Sequence, residues 1–239
     1  RPAFSEAIKL LPALFLNKIG NNLPGSYKTS FLGHKMHRFA DRLGSVKEDN
    51  DLYFSLISEW EDPEKVVLNS REPKSLLKDK SLWPKLNSFE EKMMYLDTMT
   101  YLPDDILAKV DRAAMGVSLE TRVPFLDHRV VELSARIPLE HKIKKGKGKQ
   151  ILRKILDKHV PQHLIERPKQ GFGIPLEDWL RGPLRDWSED LMNESKLKRE
   201  GFFNPSVIRT RWKEHLLEKR NWEHSLWSIL MFQSWLDSQ

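Results

Sequence analysis

The chain has 239 residues, 39% of them apolar and 31% charged, contains no cysteine and carries a formal charge of +6 at pH 7. It is long enough for a hydrophobic core and too apolar for a disordered polymer, and the missing thiols exclude disulfides, thiolate metal sites and a cysteine nucleophile within these residues. No apolar run approaches the roughly 20 residues that span a bilayer, and no secretory leader is visible, so a chain that opens on Arg1 reads as a piece of a longer or processed protein in a reducing cytoplasm.

The first third reads as helices. "SEAIKLLPALFLNKIG" is strongly apolar, with Ser5 placed as an N-cap and Pro12 as a break or kink. "KTSFLGHKMHRFADRL" sets Phe31, Leu32, Met36, Phe39 and Leu43 at helical spacing, and "DNDLYFSLISEW" starts a helix from Asp49 or Asn50. Glu61 to Lys85, with three prolines, reads as short turns and loops. "NSFEEKMMYLDTMTYL" has Ser88 and Glu91 in capping-box register; Pro103 then resets the chain, and "DDILAKVDRAAMGV" begins a new helix. "LDHRVVELSARI" and "GKQILRKILDKHV" are further helices, and Pro161 starts another turn. Towards the end come "PLEDWLRG", a helix capped by Asn204 with Pro205 in its first position, and a final helix burying Leu226, Ile229, Leu230 and Phe232. No alternating strand of useful length and no internal repeat is present, and core packing is the expected role of most of the eight tryptophans.

Four charged stretches stand out from this helical background. On one helix from Asp104 to Gly116, Ile106, Leu107, Val110, Ala113 and Ala114 form an apolar stripe. Asp105, Lys109 and Arg112 then lie opposite, and Asp111 sits at the edge; ordinary helix-face pairs explain them as well as a site does. "SLETRVPFLDH" has no period that accounts for Glu120, Arg122 and Asp127. A stiff segment at Pro124 holds them beside Phe125 and Leu126, either as a paired clamp or as a polar cleft wall. "HKIKKGKGKQILRK" places lysines at a glycine turn before a helix, suited to phosphate or carboxylate, to nucleic acid, or to plain solvation. "RPKQGFGIPLEDWLRG" reads as a loop able to close over a ligand, or as a simple connection.

Taken in this order, "LPDDILAKVDRAAMGVSLETRVPFLD", "GKGKQILRK", "RPKQGFGIPLEDWLRG" and "LWSILMFQSWL" resemble the synthetase domain of glutamine-hydrolysing asparagine synthetases, close to the subgroup found in bacterial polysaccharide gene clusters. The resemblance runs from about Leu86 to the end. It implies a mainly α fold, the helical C-terminal half of an α/β ATP-pyrophosphatase (adenine nucleotide α-hydrolase-like) synthetase domain. The variable helical segment would be 1–85 and the motif-bearing part 86–239. It also implies a ligase that adenylates the aspartate side chain and transfers glutamine-derived ammonia, giving asparagine, AMP and pyrophosphate.

ATP and Mg²⁺ are the cofactors so implied, held mostly by residues outside this chain, and no metal ligand is assigned within it. The implied partners are aspartate, glutamine or ammonia, and the missing N-terminal domains of the same polypeptide, with a homodimer as an option. No nucleic acid, no membrane and a cytoplasmic location are expected. Neither the family's Ser-Gly-Gly-x-Asp-Ser nucleotide loop nor its glutaminase cysteine occurs in these residues, so the piece alone is expected to be inactive.

Residue by residue, Lys149 matches the family's essential lysine and Asp105 an acidic active-site position, both assigned as catalytic. Asp111 and Arg112 match its Asp-Arg pair, Glu120, Arg122 and Asp127 its Glu-x-Arg-x-Pro-Phe-Leu-Asp element, and Lys169 a loop lysine; these six are assigned to substrate binding. The competing readings are a related adenylating amidotransferase acting on a sugar acid or a β-lactam-type acid, and a basic helical nucleic-acid module. A part used for oligomerisation is compatible with either enzyme reading.

Overall fold

The computed structural model describes residues 2–24, 32–166 and 173–239. The chain forms two compact units, one from residues 1–74 and 173–239, the other from residues 75–172. Among the described residues the architecture is helical, with only the isolated bridges Val67↔Phe203 and Lys144↔Lys147 in place of strands.

The first unit opens with α1 (Pro2–Lys9) and α2 (Ala13–Asn21), separated at Pro12 as its missing N–H dictates. Ser5 does not cap a helix. It lies inside α1, and its hydroxyl donates to the Ala40 carbonyl of α3 (Leu32–Ser45) at 2.6 Å. Of the apolar residues placed at helical spacing on α3, Leu32 and Met36 are half-buried and Phe39 is 55% exposed, while Gly33, His37 and Ala40 are buried; Phe31 and the Leu43 side chain lie outside the described residues. The reason is close approach. A Cβ on Gly33 would stand 2.1 Å from the Ala13 carbonyl oxygen, so α3 can pack here only without a side chain, and the Gly33 N–H donates to Asn17 Oδ1 at 2.8 Å. Gly33→Ala is therefore expected to destabilise the α1–α3 layer by about 1–3 kcal/mol, read as faster hydrogen exchange across these helices. α4 (Asp49–Ile57) starts one residue earlier than either expected cap, at Glu48, with the Asp51 carboxylate accepting from the Lys47 and Glu48 amides.

The second unit begins with a 3₁₀ turn at Lys80–Leu82 and α5 (Phe89–Leu96), capped as expected. Ser88 Oγ accepts from the Glu91 amide at 3.2 Å and the Glu91 carboxylate accepts back from the Ser88 and Asn87 amides. Pro103 does not reset the chain. α5 runs through a π-wound stretch, Asp97–Leu107, into α6 (Ala108–Met115) as one rod. The wider winding gives the proline ring room that an α-helix lacks, and the Thr98 and Thr100 hydroxyls donate to the Met94 and Leu96 carbonyls. Next come α7 (His128–Arg136), α8 (Leu139–Lys142), α9 (Gln150–Leu156) and α10 (Gln162–Ile165). Of this unit's described residues only Leu96 and Ala114 are buried. Ile106 and Val110 stay over a third exposed, so the stripe expected from Asp104 to Gly116 finds no core, and the change of winding at Leu107 alters its register.

The first unit is completed by α11 (Leu176–Arg181), α12 (Arg185–Leu191), α13 (Glu194–Glu200), α14 (Pro205–Leu216) and α15 (Glu223–Leu236). Asn204 caps α14, its Oδ1 accepting from the Ser206 amide at 3.1 Å, and Pro205 occupies the first position. Leu180, Met192, Ile208, Trp212, Leu226 and Leu230 form a dry centre. On α15 the fully buried fourth residue is Gln233, which donates to Leu191 O at 3.1 Å and to Glu200, while Phe232 packs edge-on against Phe203 at the rim. Two strand-like bonds clasp the early chain to this core, Leu68 N to Phe202 O and Asn204 N to Val66 O, both 2.8 Å. Arg211 lies between the Trp60 and Trp222 rings, 3.8 and 4.1 Å from their centres, and burial lowers its pKa to about 10.

Candidate functional site

The sequence-predicted residues lie on the second unit, apart from Lys169, which is outside the described residues. The long rod presents Asp105 from its π-wound part and Asp111 and Arg112 from α6. Asp105 pairs with Lys109 one turn on, and that bond raises the lysine's pKa. The Asp111 and Arg112 side chains are exposed and make no hydrogen bond or ion pair among the described residues.

After α6 the chain runs extended to a 3₁₀ turn at Pro124–Leu126. Arg122 Nε donates to Glu120 Oε1 at 2.8 Å, an exposed pair two residues apart. Asp127 N-caps α7, accepting from the Arg129 amide at 2.9 Å and from the Arg129 guanidinium at 3.0 and 2.7 Å. The Arg129 side chain, and then its backbone amide, hold the Asp127 carboxyl below the ordinary carboxylate range. These charges are not held beside a core: Phe125 is 61% exposed, and Leu126 and Val123 are exposed with it. Each carboxylate here instead finds its cation two residues along the chain.

The depressed Asp127 value fixes a pH dependence. Its contribution to α7 is complete above the unfolded pKa of about 3.9 and is lost as pH falls through the lower folded value. Asp127→Asn, which caps but carries no charge, should flatten that acid limb, read from the Val130 and Val131 amides by hydrogen exchange.

The lysine stretch folds as a tight turn and then a helix. Lys144 and Lys147 exchange both backbone hydrogen bonds at 3.0 Å around Lys145 and Gly146, whose φ values of 50° and 73° make a type I′ turn. Lys149 follows in the left-handed region, φ 60° and ψ 34°, as the N-cap of α9. That conformation is costly for a side chain with a Cβ and is kept only where its surroundings hold it. The Lys149 side chain is exposed and makes no ion pair among the described residues. Lys147 Nζ reaches Glu166 at 3.5 Å, and Arg153 pairs with the same carboxylate. The turn therefore presents the Lys149 ammonium, without an ion pair among the described residues, from a left-handed backbone beside the engaged Lys147 and Arg153, with Lys144 and the left-handed Lys145 exposed as well.

Among the described site residues direct contact joins only Glu120 with Arg122; Asp105, Asp111, Arg112, Asp127 and Lys149 are not bonded to one another. Sequence reasoning missed Arg129, Arg153 and Glu166. The signal for Arg153 was its place four residues after Lys149, and for Glu166 its place at the start of "ERPKQGF". Among the described residues no three carboxylate or imidazole groups converge as a metal ligand set. A cavity of about 560 Å³ in the first unit, bordered by Arg181, Arg185, Arg209 and Trp212, contains none of the expected residues; Glu177 engages Arg181 and Glu189 engages Arg209.

The described residues thus define a helical protein with an exposed, glycine-turned lysine on its second unit. The asparagine synthase family pattern matches residues 5–237, and the chain belongs to that family. The match reaches much further towards the N-terminus than Leu86. Glutamine-hydrolyzing asparagine synthetase 1 of Bacillus subtilis is 35% identical over 144 residues, 60% of this chain and 22% of its own length. A putative asparagine synthetase of Mycobacterium tuberculosis is 35% identical over 145 residues, again 60% and 22%. The asparagine synthetase of Gallus gallus is 29% identical over 133 residues, 52% and 24%. The matched part thus spans about a fifth of these relatives' length. No solved structure matches the chain. No described helix is long and apolar enough to cross a membrane.

Proposed function

We propose that these residues are the helical part of an ATP-dependent asparagine synthetase, in which an α/β nucleotide-binding region supplied by the rest of the polypeptide completes the synthetase domain. The carrying observation is the family match over residues 5–237 together with Lys149 held at the left-handed cap of α9, with no ion pair among the described residues. In the proposed reaction an aspartate side-chain oxygen attacks the α-phosphorus of ATP and pyrophosphate leaves; ammonia from glutamine then attacks the acyl carbon and AMP leaves. Mg²⁺, when bound with the nucleotide, would neutralise phosphate charge, and its ligands lie mostly beyond these residues.

The Lys149 ammonium acts on oxygens that gain charge in both steps, where a fixed cation stabilises the transition state more than the ground state. Asp105 is assigned as the second catalytic residue, and Asp111, Arg112, Glu120, Arg122, Asp127 and Lys169 to substrate binding in the wall around the acid and the nucleotide. The exposed apolar side chains of the second unit, Phe125 and Leu133 among them, fit helices that rest on further protein. In the full-length protein, ATP, Mg²⁺ and ammonia should give AMP and pyrophosphate only when aspartate is added, with asparagine in equal amount. Release that ignores aspartate and follows a sugar acid would keep the chemistry and replace the substrate. The 239 residues alone, lacking the nucleotide loop, should release none.

A further inference from the structure

We infer that Glu166 is a positioning residue for Lys149, acting through Arg153; the inference rests on the proposed role of Lys149. The main-chain carbonyls leading into Lys149 are held by side chains and amides of α9. Gln150 Nε2 donates to Lys147 O at 2.9 Å, Arg153 Nε to Gly148 O at 3.0 Å, and the Arg153 amide to Lys149 O at 2.9 Å. Arg153 thus grips the peptide on each side of the strained residue, once through its backbone and once through its side chain.

A guanidinium is a planar fork, so fixing another of its nitrogens fixes the direction of Nε. Glu166 supplies that fix: Oε1 pairs with Arg153 Nη1, while Oε2 faces Lys147 Nζ at 3.5 Å, at the end of the turn. The carboxylate therefore ties the C-terminal end of the lysine turn to α9, across the peptides that flank Lys149. Gly148 would otherwise let the peptide swing, since a Cβ placed on it meets nothing within 4 Å. The Arg153 and Glu166 side chains are 32% and 40% exposed, and an ion pair this open adds little to stability. Its contribution is direction: it holds the Gly148 carbonyl, and with it the left-handed backbone from which Lys149 projects.

The test uses the full-length protein, assayed for pyrophosphate release with ATP, Mg²⁺, aspartate and ammonia. Glu166→Gln and Arg153→Gln should each lower kcat about a hundredfold, the effect of ångström-scale misplacement, with little change in KM for ATP. The double variant should lose no more than the worse single one, because both break the same chain of contacts. The reversed pair, Arg153→Glu with Glu166→Arg, separates position from stability. It restores the ion pair and any thermal stability the single variants lose, yet leaves the rate low, because a carboxylate at 153 cannot donate to the Gly148 carbonyl.

Losses that multiply in the double variant, or full rate in the reversed pair, overturn the inference. Lys149→Met in the same assay separates the two failures. If it is inactive while Glu166→Gln is fully active, only the positioning role falls. If it is fully active, or the parent releases nothing with any acid, the proposed role of Lys149 falls and this inference with it.

Discussion

Replacing Lys149 by methionine in the full-length protein is expected to lower aspartate-dependent pyrophosphate release about a hundred- to a thousandfold, the loss seen when one preorganised group that stabilises transition-state charge is removed. Under the proposed function, any glutamine hydrolysis by the full-length protein should be unchanged. The contrast that makes this informative lies within the same turn. Lys145 is also a left-handed, exposed lysine four residues away, and Lys147 is engaged by Glu166. If the stretch acted as a diffuse basic patch, Lys145→Met would cost as much as Lys149→Met, and both losses would shrink in high salt. If Lys149 meets the reacting oxygens, Lys145→Met leaves the rate unchanged and the Lys149 loss persists in salt. Equal losses at the two positions would sink the specific role.

The features legible in the sequence were those that depend on neighbours in the chain. The Ser88–Glu91 capping box, the Asn204–Pro205 helix start and the break at Pro12 all formed where side-chain chemistry placed them, because each is settled within one helical turn. The glycine turn ahead of α9 is of the same kind: Gly146 takes a positive φ that a type I′ turn demands. Errors arose where a distant segment decides. The buried face of α3 is chosen by the approach of Gly33 to Ala13, which periodicity on α3 alone does not contain. Pro103 stops an α-helix but not a π-wound one, and the winding depends on a rod that both flanking helices extend.

The candidate site divides in the same way. Local pairs were within reach: Asp105 with Lys109 and Glu120 with Arg122 are sequence neighbours on one face or one extended stretch. The expectation that Glu120, Arg122 and Asp127 stand beside a core failed because apolar neighbours such as Phe125 are necessary for burial but do not supply the surface that covers them. Arg153 and Glu166 are thirteen residues apart, across α10 and the turn before it, so their pairing could not be read from spacing. Lys149 is singled out by resemblance to a family; its left-handed backbone, which sets its direction, is not visible in the letters around it.

Trp212→Ala should be among the most destabilising single substitutions in the first unit, at about 3–5 kcal/mol against a typical total of about 5–15 kcal/mol. Trp212 is 1% exposed, sits in the centre formed by α11 to α15, and stacks on the buried His215 ring at 6.0 Å and 14°. Its indole N–H donates to Glu189, which also takes Arg209 at 2.7 Å, so truncation leaves a cavity and frees one acceptor site on that carboxylate. Trp212→Phe keeps much of the ring and loses the N–H, and should fall between. Trp235 is the control: it lies on α15 but is 54% exposed, and its removal should cost under about 1 kcal/mol. Because a multi-domain protein does not unfold in one step, the comparison is made by hydrogen exchange of the α14 and α15 amides in the full-length protein. Similar exchange in the Trp212→Ala and Trp235→Ala proteins would mean that the centre around Trp212 does not hold these helices together.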